Sequence, residues 1–162
     1  MKKTLLINGV LFVFITTMYP VMTFAKKDKH KEKKAETQSF EKWEKKTGNG
    51  QVVSGSSFHK GPEVDIDGNK GDKVGAFRGG KVIYSGSKGS FGNTVIIQDK
   101  KGNTEQYSHL DNINVNVGKK LKPNQKIGTI GNTGNVISGH GGDGSHLHYQ
   151  EANKDGMLIS PR

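Results

Sequence analysis

The feature that most limits how this chain can fold is a series of short runs, apolar alternating with polar, each closed by a turn residue. They read "KVIYSG" from Lys81, "NTVIIQD" from Asn93, "NTEQYSHL" from Asn103, "QKIGTIG" from Gln125 and "HLHYQEA" from His146. A period of two bounded by turn chemistry at close spacing specifies half-buried strands joined by tight connections. The chain holds 23 glycines with no three-residue period, so they mark turns rather than a collagen-like or linker sequence. The expected fold is all-β: a compact antiparallel sheet domain over residues 47–162, of a length suited to one core.

Two other segments precede that domain. Lys2 and Lys3 lead an uncharged, largely apolar run from Thr4 to Ala25, with Pro20 within it and Thr23 and Ala25 as small residues before a cut. These are the parts of a secretory signal peptide over 1–25; an uncleaved membrane anchor is the competing expectation. Residues 26–46 carry nine lysines against five acids, with Phe40 and Trp43 almost alone as apolar residues. Such composition predicts a solvated, lysine-rich tether, with a short helix near Phe40 to Lys46. Removing Lys2 and Lys3 from the formal charge of +10 leaves about +8, suited to anionic cell-wall polymers, while export removes nucleic acid from the expected partners. Cysteine is absent, which excludes disulfides, thiolate metal sites and a cysteine-linked lipid anchor in this sequence.

The chemistry-bearing side chains are histidines. In "SHLHYQE", a strand would project His146 and His148 from one face with Cα atoms about 6.6 Å apart, and turn Leu147 into the core. His109 stands at an expected strand end in "QYSHLDN", and His59 lies near carboxylates in "SFHKGPEVDID". A hydrolytic zinc takes three ligands from His, Asp or Glu and keeps a fourth position for water. His59, an acid after it and one histidine of the pair would fill that set. His109 and the other histidine would then handle protons near neutral pH.

Taken in order, "H..G…D", "GNTVIIQ", "YSHL", "GTIGNTG" and "SHLHYQE" resemble the lysostaphin and LytM type of zinc endopeptidase, which cuts peptide bonds in bacterial peptidoglycan. The likeness runs from about Phe58 to Glu151. It implies an antiparallel sheet flooring a substrate groove, with zinc held by His59, Asp65 and His148 and with His109 and His146 as catalytic imidazoles. It further implies a secreted or cell-wall-associated monomer acting on peptidoglycan peptides.

The pattern departs from the family in two places. The usual acid follows the first histidine by four residues, where Glu63 stands here, whereas the downstream spacing to Gly71 and Val74 selects Asp65, six residues on. Gly61 and Pro62 supply the turn that either acid needs to reach the metal. The stretch "GNVISGHGGDGSH" is longer than the family's link and predicts a flexible loop at the groove rim. These departures keep open a catalytically inactive wall-binding or envelope-assembly module on the same fold. "DIDGNKGD" from Asp65 is no calcium loop, because Lys70 and Ala76 stand where glycine and glutamate are required. His30 and His140 read as solvated bystanders, Tyr107 and Tyr149 as packing residues with hydroxyls reaching water, and Phe58, Phe77 and Phe91 as core or groove wall.

Overall fold

The computed structural model describes residues 39–48, 52–54, 61–137 and 142–161. The signal segment, most of the tether, His59 and His140 lie outside them. The chain divides between Lys34 and Ala35, and everything described belongs to the second unit. Its order is α1 (Phe40–Glu44), β1 (Val52–Ser54), β2 (Val64–Asp67), β3 (Lys73–Gly75), β4 (Gly80–Ser87), β5 (Asn93–Gln98), β6 (Thr104–Ile113), β7 (Lys120–Leu121), β8 (Lys126–Ile130), β9 (His146–Ala152) and β10 (Leu158–Ile159). Each of the five alternating runs is a strand.

The strands form one antiparallel sheet in the order β1-β2-β9-β6-β5-β4-β7; β10 pairs with β9, and β8 with β6 and β3. Local chemistry sets the register. In the β5–β6 hairpin, the Asp99 carboxylate accepts from the backbone N–H of Lys101 at 2.7 Å and of Asn103 at 2.9 Å. That turn fixes Gln98 against Thr104 and hence Val95 against Tyr107. Directly opposed residues share a face. Tyr107 opposes Tyr149 and Ile66 opposes Leu147, and all four are fully buried, so these positions define the core face. The alternate positions Gln106, Ser108, His148 and Gln150 therefore define the other face.

The core face is covered by α1, whose Ser39 hydroxyl accepts from the Lys42 N–H at 3.3 Å as an N-cap. Trp43 is 1 % exposed, packs its ring 5.0 Å from Tyr149 and 5.4 Å from Phe77, and donates its indole N–H to the Gly75 carbonyl at 3.0 Å. Phe40 stacks on Tyr149 at 5.5 Å. The solvated tether expected up to Lys46 thus ends earlier. Two aromatic side chains spaced three apart bury themselves as one helical face, which a lysine count does not register.

The buried tyrosines do not reach water. Tyr107 donates its hydroxyl to Glu105 at 2.6 Å and accepts from the Phe77 N–H at 2.7 Å; Tyr149 donates to Glu151 at 2.9 Å. Glu105 and Glu151 oppose each other on β6 and β9, and the Arg78 guanidinium contacts both, at 3.4 Å and 2.7 Å. Burial outweighs these partners and pushes the Glu105 carboxyl up to about 7.

Candidate active site on the open face of the sheet

Pairing of β2 with β9 places Asp65 directly opposite His148, and Asp65 Oδ1 lies 2.9 Å from His148 Nδ1. His146, two residues earlier on the same face, brings its Nε2 to 3.8 Å from the same oxygen. Glu63, the alternative acid, has no bond to His148: its Oε2 is buried without a hydrogen-bond partner.

His109 arrives by a different route. Regular alternation along β6 would turn it toward the core, since Tyr107 is buried there and Ser108 opposes His148. Instead His109 adopts φ 59°, in the left-handed region, where the strand leaves β9 and takes up β8 at Leu110. A non-glycine residue in this region costs of order 1 kcal/mol or more, which the surrounding contacts must offset. The turn swings the ring to the open face, 4.8 Å from His146 and 5.8 Å from His148 between centroids.

Backbone carbonyls select the tautomers of both imidazoles. His109 Nδ1–H donates to the Thr133 carbonyl at 2.8 Å and His146 Nδ1–H to the Gly144 carbonyl at 2.8 Å. In the neutral ring each Nε2 is then the proton acceptor. Burial lowers the His109 pKa, helped by the neighbouring His146 and His148 against the pull of the Thr133 carbonyl and Asp65, so this ring is neutral at pH 7.

The anchor of His109 lies in the glycine-rich turn. The Thr133 hydroxyl donates to the Leu110 carbonyl at 2.8 Å and accepts from the Asn93 N–H at 2.9 Å. Gly92 and Gly134 permit this contact, because a Cβ on Gly92 would sit 2.3 Å from the Thr133 carbonyl and one on Gly134 would sit 2.4 Å from the Gly92 nitrogen. The turn without catalytic side chains therefore holds the catalytic candidate by its backbone.

His148 has surroundings that suit a metal ligand. Both ring nitrogens face acceptors: Nδ1 faces Asp65 Oδ1, and Nε2 lies 3.3 Å from Gln150 Oε1. A neutral imidazole has one N–H and satisfies one of them. With Nε2–H donated to Gln150, Nδ1 would be left unprotonated beside the carboxylate, as two ligands of one metal with an outer partner fixing the ring would stand. Their separation is close to the ~3.3 Å kept by two ligands of a tetrahedral zinc. No group of three ligand side chains occurs among the described residues; they contribute this pair, and His59 lies outside them.

Sequence reading named Asp65, His109, His146 and His148, and the structure brings all four together. It missed Thr133 and Gln150, whose roles run through a carbonyl and an amide that no motif marks. Phe77 is core, whereas Phe91 borders the site with its ring 5.5 Å from His148.

Known proteins resemble this chain in sequence and in fold. Residues 57–161 match peptidase family M23. The chain is 30% identical over 115 residues to the murein hydrolase activator NlpD of Escherichia coli, covering 69% of this chain and 28% of that protein, so it spans little more than a quarter of this relative. The antimicrobial peptidase lysostaphin of Staphylococcus simulans superimposes with TM-score 0.62 at 27% identity, covering 77% of this chain and 51% of that one. A zinc-containing peptidase from Vibrio cholerae gives TM-score 0.58 at 27% identity over 67% of this chain and 35% of that one.

Proposed function

The chain belongs to peptidase family M23, and on that premise we propose that it is a zinc-dependent endopeptidase hydrolysing peptide bonds of bacterial peptidoglycan. One observation supports this reading: an Asp65 carboxylate oxygen and the His148 Nδ1 lie 2.9 Å apart, with two further imidazoles, His109 and His146, beside them. His59, Asp65 and His148 would hold the zinc. Bound there, zinc would acidify a water toward a pKa of about 7 and polarise the scissile carbonyl.

The remaining work falls to the chain's own groups. His109, neutral and pinned at Nδ1 by Thr133, holds or accepts a proton at Nε2. His146, pinned at Nδ1 by Gly144, offers its Nε2 on the same side of the sheet and can pass a proton to the leaving amine. Residues 1–25 would direct export, the lysine-rich segment would favour an anionic wall, and the protein would act there as a monomer.

Relatives named murein hydrolase activators, together with the six-residue step from His59 to Asp65, favour a second reading as a wall-binding module that promotes hydrolysis by others. Incubation of the purified protein and zinc with isolated peptidoglycan separates the two. The endopeptidase releases new amino groups, stops on chelation, and fails as His109→Ala or Asp65→Ala. One zinc per chain without amine release from glycine-bridged or directly linked wall would leave the module.

A further inference from the structure

The open face continues from His148 toward β4 as a row of polar groups ending in a lysine. Lys88 follows β4 and is half-buried. Its backbone is held at both sides of a short turn: the Lys88 N–H donates to the Gly92 carbonyl at 2.8 Å, and the Phe91 N–H to the Lys88 carbonyl at 3.1 Å. Its ammonium donates to Gln106 Oε1 at 3.1 Å and lies 4.5 Å from the centre of the Phe91 ring.

The Gln106 amide is itself fixed. It is 5 % exposed, and its Nε2 donates at 3.0 Å to the buried Ser108 hydroxyl, directly opposite His148. Phe91 touches His148 in turn, with ring centres 5.5 Å apart. The ammonium is therefore within about 10 Å of the His148 ring, the reach of about three extended residues of a bound peptide.

Gln106 and the ring face are neutral partners, and no carboxylate among the described residues pairs with Lys88. One of its three N–H groups is used by Gln106, which leaves donors for a ligand in the groove. A charge-assisted bond made here, beside an aromatic ring and by a half-buried side chain, is worth more than one between fully exposed groups.

We propose that Lys88 is a specificity-determining residue that takes a carboxylate of the bound peptide. The substrate class is then an acidic peptide bearing a free carboxylate within about three residues of the scissile bond, rather than a neutral glycine chain. This inference rests on the endopeptidase reading for the location of the scissile bond. The binding of the carboxylate itself does not require catalysis.

The test uses the purified protein and two synthetic stem-type peptides, identical except that a glutamyl residue carries a free carboxyl group in one and a carboxamide in the other. Affinity is measured by calorimetry at low and high salt, with and without added zinc, and cleavage is followed separately. The acid form should bind on the order of ten- to a hundredfold tighter, with the preference shrinking in salt. Lys88→Met should erase the preference and Lys88→Arg should keep it. Equal binding of the two forms by the unaltered protein, or a preference surviving in Lys88→Met, overturns the assignment. A Lys88-dependent preference without cleavage upholds it and removes the endopeptidase reading; cleavage without preference does the reverse.

Discussion

Asp65 and His148 oppose each other on β2 and β9, and the carboxylate oxygen approaches the ring Nδ1 to 2.9 Å. Sheet register alone creates this juxtaposition, because side chains directly opposed on an antiparallel pair share a face. The lengthened step from His59 in the sequence leaves the Asp65–His148 pair intact.

The first prediction concerns metal stoichiometry. The protein offered zinc at neutral pH and then dialysed should retain about one zinc per chain by elemental analysis. Asp65→Ala, His148→Ala and His59→Ala should each lose it. Glu63→Ala should keep it and should fold well, since it deletes a buried acceptor that has no partner. Retention in Asp65→Ala with loss in Glu63→Ala would move the acid ligand to Glu63.

Gln150 is predicted to act through His148. By accepting from Nε2, its Oε1 would leave Nδ1 unprotonated toward Asp65 when a cation is bound there. Gln150→Leu should weaken zinc binding by about 10- to 100-fold in competition with a chromophoric chelator, while Gln150→Glu should restore it. Nitrogen chemical shifts of His148 supply a second readout, with protonated Nε2 expected in the unaltered protein and a mixture in Gln150→Leu. Unchanged affinity and unchanged shifts would remove this role.

His109 sets the pH dependence. Burial lowers its pKa, so the neutral, proton-accepting form persists to more acidic pH than for an ordinary histidine. The acid limb of kcat/KM should break below pH 6.5, and His109→Ala should cost about 10²- to 10⁴-fold in rate. The same shift acts on stability with a defined sign. Below about 6.5 the unfolded chain takes up a proton that the folded ring resists, so this contribution is lost on acidification. Direct NMR titration of His109 checks both; a midpoint at or above the ordinary value would contradict them.

Much of this was legible in the sequence because strands with one buried face must alternate. The five quoted runs became strands, and the spacing of His146 and His148 put both rings on one side. Alternation also misleads at His109: it assigns that ring to the core, and only the positive φ redirects it. The short helix near Phe40 and Trp43 was legible, but their docking on the core was not, because two apolar residues in one turn of a lysine-rich segment give no period that would mark a buried face. Thr133 and Lys88 were beyond reach for another reason. One contributes a carbonyl and the other depends on Gln106 and Phe91, residues distant in sequence that only the folded register assembles.

The last prediction tests the buried cluster beneath the site. Glu105, raised by burial to about 7 from an ordinary 4.5, opposes Glu151 with Arg78 between them. A raised carboxyl binds its proton more tightly in the folded state. Its contribution is thus fully present below about pH 4.5 and is lost progressively as pH rises to about 7, a change on the order of 3 kcal/mol. Glu105→Gln mimics the protonated acid and should be insensitive over that window. Chemical unfolding of both proteins from pH 4.5 to 8 should show the stability of the unaltered protein falling relative to the variant as pH rises. A parallel course would mean that Glu105 ionises with its ordinary pKa, with Arg78 compensating the whole cost of its burial. The fall, if observed, would show that Arg78 answers one carboxylate, Glu151 at 2.7 Å, and leaves the second to keep its proton.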